Sequence, residues 1–186
     1  MVDQDIYVKL FVESADYDKV DAFVASCAER VRQVFTGLVA DDAKRDGDLD
    51  RVVRITDALW EVGRGSSWDG DLRFLEGLPE IQKSGSTDGK LAVLHSVAMV
   101  IFCAVRYRSY RNPEDAIRCS IFALNSSSLL SDYREVEFDI RSLENNYQRS
   151  DVSSLSQVDA LEEVNLLAMK VRAEEFSFEQ LRGEFF

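Results

Sequence analysis

The chain has 186 residues, of which 46% are hydrophobic, 10% aromatic and 30% charged. That is about one large domain with ample apolar content for a packed interior, which excludes a disordered or fibrous chain. Lys and Arg number 22 against 34 Asp and Glu, a net charge of −12; such a surplus repels nucleic acid and anionic lipid and favours basic partners.

The N-terminus, MVDQDIYVKLFVE, mixes acids with apolar residues and lacks the basic start and small-residue cleavage site of a signal peptide, which points to the cytoplasm. Within it, IYVKLFVE has strand-like content but could equally be the leading turn of a helix. From Ser14 or Asp16 onward, Val20, Phe23, Val24, Cys27, Val31, Val34, Phe35 and Leu38 recur at steps of three and four, the spacing of one helix face. A second helix is predicted from about Asp48 to Val62, carrying Leu49, Val52, Val53, Leu59 and Trp60, with Gly63 as its stop. Between Gly63 and Gly89 lie six of the nine glycines and one of the two prolines. This predicts a long connection, interrupted by a short helical piece around DLRFLEGL that ends before Pro79.

The stretch SGSTDGKLAVLHSVAMVIFCAV, residues 84 to 105, admits three readings. A phosphate loop needs glycine where Ser84 stands and a hydroxyl where Leu91 stands. A membrane span needs about 20 apolar residues, whereas the run from Leu91 to Val105 includes His95 and Ser96 and is closed by RYRSYR. What remains is a helix apolar nearly all round, which belongs at the centre of a helical protein. Next, Asn112-Pro113-Glu114-Asp115 supplies a cap, a proline at the first helical position and acids in the first turn, opening a helix through Ile117, Ile121, Phe122 and Leu124. Tyr133, Val136, Ile140, Leu143 and Tyr147 form a narrow stripe. A further helix is predicted from about Ser154 through Leu155, Val158, Leu161, Leu167 and Val171, and Ser177 with Gln180 resembles a capping box before Phe185 and Phe186. The expected fold is all-α: one domain over 1–186, about six to eight helices around a central apolar helix at about 88–109.

The pieces FVASCAERV (Phe23 to Val31), GDLDRVVRITDALWE (Gly47 to Glu61), the GLPE turn and a long apolar helix followed by EDAIRCSI resemble the YjaG-like family of bacterial all-helical domains of unknown function. The resemblance covers roughly residues 15 to 130. Its most specific marks are Cys27-Ala28-Glu29-Arg30 and Asp57-x-x-Trp60-Glu61. It implies a cytoplasmic helical bundle and brings no catalytic residue with it.

Residue chemistry points the same way. Cys27, Cys103 and Cys119 are odd in number, form no CxxC pair and sit in apolar runs, so they are expected as reduced core thiols rather than disulfides or zinc ligands. His95 is the single histidine, inside the most apolar helix, and is expected as a satisfied core group. Asp46-Gly47-Asp48-Leu49-Asp50 starts like a calcium loop, but Arg51 stands where that loop needs glycine and Asp57 where it needs glutamate, leaving an acidic turn that caps the next helix. No helical di-iron spacing occurs. The cluster Arg106-Tyr107-Arg108-Ser109-Tyr110-Arg111 lies where cations complement the end of a helix. No cofactor, metal, nucleic acid or membrane is expected.

Two function classes follow. The first is a non-catalytic binding protein with an acidic surface, most concretely an immunity protein that neutralises a basic toxin. Its candidate contacts are Asp41, Asp42, Asp46, Asp48 and Asp50, with Trp68 as an aromatic anchor, although Trp68 could equally plug the core while the 63–89 connection wraps it. Glu162 and Glu163 lie in a C-terminal region, Asp151 to Phe186, that carries eight acids against three basic residues. The second is a housekeeping YjaG-like protein, an enzyme or small-ligand binder with a pocket near His95 and Trp60; its mark would be a water-accessible cavity reaching His95. Phe185 and Phe186 also suit a homodimer contact.

Overall fold

The computed structural model describes residues 3–63, 67–82, 89–134 and 139–176, and among them every regular element is helical. In chain order these are α1 (Asp3–Ser14), α2 (Tyr17–Val39), α3 (Asp46–Leu59), α4 (Asp69–Glu76), α5 (Pro79–Gln82), α6 (Gly89–Tyr110), α7 (Pro113–Arg134), α8 (Ile140–Gln157) and α9 (Glu163–Glu175), with a 3-10 turn at Ala43–Arg45. The all-α bundle expected from periodicity is what forms. Nine helices rather than six to eight arise among the described residues because IYVKLFVE lies in a helix of its own, α1, and the 63–89 connection adds α5 after the expected α4.

Helix α6 is apolar nearly all round because it is covered on most sides: α7 packs along it most extensively, α2 next, and α4 and α5 close a third flank. Val93, Val97, Val100, Ile101, Ala104 and Val105 have no exposed surface. Its 22 residues meet the length and composition of a membrane span, yet 61% of that window is buried inside the protein, the setting of a core helix. Each valine or isoleucine so removed from water contributes about 1.5–3 kcal/mol before the entropy of ordering is charged against it. All eight residues of the α2 stripe are buried as the spacing requires. IYVKLFVE is helical, with Val8, Phe11 and Val12 turned inward against α7 and α8.

Gly63 follows α3 at φ +75°, a left-handed conformation that glycine adopts without the clash a Cβ would bring. Asn112 Oδ1 accepts the backbone N–H of Glu114 at 3.2 Å, and Pro113 opens α7 as its sequence predicts. The C-terminal third departs from the reading. Tyr133 belongs to α7 while Ile140, Leu143 and Tyr147 belong to α8, and Val136 lies outside the described residues. The helix expected from Ser154 to Val171 is broken: Val158 is extended at φ −96°, ψ 134°. Glu162 then starts α9 through a capping box with Asn165. Ser177, Gln180, Phe185 and Phe186 lie outside the described residues.

Candidate partner-binding surface

Six carboxylates are buried among the described residues, namely Asp21, Glu29, Glu80, Asp115, Glu144 and Asp151, and each has an arginine beside it. Arg30, 1% exposed, is the best served. Its Nε and Nη2 donate to the two oxygens of Glu144 at 2.8 and 2.9 Å, and its Nη1 donates to Asp151 at 2.7 Å and to Ser26 at 2.6 Å. Gln148 Nε2 donates to Glu144, and Ser26 Oγ donates to Asp151. Although burial works against its charge, Glu144 and Asp151 hold Arg30 well above the usual guanidinium range. Arg45 forks onto Glu80 at 2.7 and 3.1 Å. Arg108 and Arg111 flank Asp21, Arg32 pairs with Glu29, and Arg106 lies 3.6 Å from Asp115. Burial pushes the Asp21 and Glu29 carboxyls up, only partly opposed by these arginines. With an arginine beside each interior carboxylate, most of the chain's net −12 is left to its surface.

The acidic turn expected at 41–50 is largely solvent-facing, with Asp41, Asp42, Asp46 and Asp50 exposed and Asp42 Oδ1 accepting from Lys44 N at 3.1 Å. Asp48 differs. It is half-buried and accepts from Arg45 Nε at 2.5 Å, so it steadies the turn instead of facing outward. Trp68 departs further from the expectation of an aromatic anchor: it is 4% exposed, packed in the core with the Arg108 guanidinium 5.4 Å above its ring. A buried indole cannot reach a partner, and its role is packing. Glu162 and Glu163 are exposed at the start of α9.

What the spacing missed is the outer face of α9. Leu167 and Val171 suggest a core stripe, yet Val164, Leu167 and Val171 are 64%, 63% and 43% exposed, while Met169 and Ala173 face inward. The signal was present: residues 163–175 carry two apolar stripes, 166/169/173 and 164/167/171, and a surface helix buries only one. The two cations of α9 turn toward the body, Lys170 to Asp57 at 3.3 Å and Arg172 to Asp151 at 3.7 Å. Glu163, Glu174 and Glu175 remain exposed around the outer stripe.

An open groove of about 520 Å³ between α6 and α7 is lined by Ala92, His95, Ser96, Phe122 and Leu129 among others. His95 Nδ1 lies 2.8 Å from the Glu80 carbonyl; pairing with an acceptor places the proton on Nδ1 and leaves Nε2 as an acceptor. Trp60 does not line this groove; its Nε1 donates to Glu29 at 3.4 Å on the α3 side. The three cysteines are free and buried, and burial, with Asp115 nearby, pushes the Cys103 thiol up to about 12, far from a thiolate nucleophile. Among the described residues no group of three or more His, Cys, Asp or Glu is placed to hold a metal.

No protein-family model, curated protein or solved structure matches the chain.

The two short marks of the YjaG-like resemblance nevertheless meet in space. Glu29 and Trp60 share a hydrogen bond, and Asp57 lies 3.3 Å from Arg32 and from Lys170. Cys27 and Ala28 are core, and Arg30 is the centre of the buried network. These stretches therefore join α2, α3 and α9, and their chemistry is that of holding the bundle together.

Proposed function

We propose that this chain is a non-catalytic acidic binding protein of the cytoplasm that captures and neutralises a basic protein, most concretely an immunity protein against a cognate toxin. The observation that carries the reading is the pairing of each buried carboxylate with an arginine, which leaves the surplus negative charge outside, at the 41–50 turn and on α9. Charge displayed in this way steers a basic partner into encounter and discourages wrong partners. The test is capture by the tagged full chain from its host's lysate, eluted at low and high salt, followed by expression of the captured protein alone and together with this chain. The reading requires a stoichiometric basic partner that is harmful alone and harmless in company. Turnover of a substrate by the purified chain, or a harmful partner left unneutralised, would refute it.

The groove at His95 favours a second reading, a small-ligand binder of the YjaG-like kind, with Nε2 as the acceptor for a ligand hydroxyl or amide. His95→Gln with unaltered cellular phenotype and normal stability removes that role. Kinship with the YjaG-like family is proposed on the residues quoted for it.

A further inference from the structure

We infer that the outer face of α9 is a docking ridge for an amphipathic basic helix of the partner protein, an inference that rests on the acidic-binder reading and specifies its contact. Three successive side chains, Val164, Leu167 and Val171, sit at i, i+3 and i+7 and are all at least 43% exposed. They form a straight seam roughly 10 Å long at 1.5 Å per residue. A helix with the same apolar spacing fits such a seam knob into hole, as in helix-on-helix recognition. Helical geometry places Glu163 and Glu174 along one flank of the seam and Glu175 along the other, all exposed. The basic residues that could neutralise them are drawn away, Lys170 by Asp57 and Arg172 by Asp151.

That charge pattern decides the occupant. In an antiparallel pair of two copies, Glu162 and Glu163 of one chain meet Glu174 and Glu175 of the other; in a parallel pair each glutamate meets its own counterpart. Both arrangements set like charges against each other across a contact, which disfavours self-association. A helix with lysine or arginine on both sides of its apolar stripe satisfies seam and flanks together.

The probe is a labelled helical peptide of about five turns with leucine at i, i+3 and i+7 and lysine on both flanks, compared with a scrambled peptide of the same charge. Binding to the full chain is followed by anisotropy at two salt concentrations. The wild-type chain should bind the patterned peptide at least about tenfold more tightly than the scrambled one. Leu167→Asp adds negative charge, so a purely electrostatic contact would tighten; the ridge requires that it weaken by about tenfold or more. Val164→Asp should do the same, and both variants fold because the side chains replaced are exposed. Glu163→Lys should weaken binding and flatten its salt dependence, whereas Glu76→Lys, at an exposed position of α4, should leave both unchanged. Equal binding of the scrambled peptide, or unchanged affinity in Leu167→Asp, overturns the ridge. So does a wild-type dimer in sedimentation equilibrium that dissociates in Leu167→Asp, since the seam would then hold a second copy. If Leu167→Asp still neutralises the captured toxin, the ridge fails while the immunity reading stands. If no basic partner is neutralised yet the patterned peptide behaves as stated, the reverse holds.

Discussion

Replacing Arg30 by methionine removes the one cation that both Glu144 and Asp151 address with short hydrogen bonds, at 2.7 to 2.9 Å, in a site where Arg30, Glu144 and Asp151 are each at most 1% exposed. Glu144 is then left buried without its counter-ion, Asp151 keeps only Arg172 at 3.7 Å, and Ser26 loses a donor. Breaking one side of a buried ion pair costs about 3–5 kcal/mol, against a total stability of about 5–15 kcal/mol for a domain. Arg30→Met should therefore lower the urea midpoint, followed by helical circular dichroism at neutral pH, by about a fifth or more of its value. The cost arises from orphaned charge and not from lost volume, so the triple variant Arg30→Met/Glu144→Gln/Asp151→Asn should recover most of it. Arg30→Lys should fall between, since an ammonium cannot reproduce the two-pronged contact with Glu144. A loss under about 1 kcal/mol in Arg30→Met, or a triple variant no more stable than the single, would refute the assignment of the network as a charge-balanced core.

Trp68→Ala should destabilise by about 3–5 kcal/mol, read by thermal melting, because the indole fills core space; retained stability with weakened partner binding would return it to the surface. Asp41→Lys/Asp50→Lys should change stability by less than about 0.5 kcal/mol while slowing association with a basic partner in stopped-flow mixing. Burial raises Cys103 from 9.0 to about 12 and Tyr107 from 10.0 to about 12. Both folded values lie above the unfolded ones, so the stability they confer is complete below about pH 9 and is lost as pH rises toward 12. Denaturation midpoints should fall over that window, by up to about 1.4 kcal/mol per pH unit for each group; a flat profile, or tyrosinate absorbance from Tyr107 appearing near 10 in the folded state, would contradict it. Native protein should leave all three thiols unreactive to a disulfide reagent at pH 8, and denatured protein should expose all three.

Much of the architecture was legible because local pattern and tertiary burial agree in α2 and α6: the α2 stripe and the run from Val93 to Val105, apart from the half-buried His95 and Met99, are buried where periodicity puts them. Asn112-Pro113 and Gly63 mark boundaries by backbone chemistry that acts over a few residues. The break at Val158 was hidden because Leu155, Val158 and Leu161 continue the apolar spacing through a segment whose backbone turns extended. Trp68 sits among small polar residues that suggest a surface loop, yet it joins the core, with Arg108, forty positions away, over its ring. Arg30 finds its partners 114 and 121 residues downstream, pairings no local pattern discloses. The candidate surface was half legible. Charge pointed to Asp41, Asp42, Asp46, Asp50, Glu162 and Glu163, but the apolar seam among the α9 glutamates looked like core until neighbouring helices were in place.

The two sides of α9 answer to different constraints. Met169 and Ala173 are locked into the interior and Lys170 and Arg172 are tied to acids of the body, while positions 163, 164, 167, 171, 174 and 175 contribute little that the fold requires. Substitution along that outer arc is close to thermodynamically silent. Under the proposed docking role, a lineage of such proteins could exchange one partner for another by rewriting six side chains on a single helix, leaving the scaffold that presents them untouched.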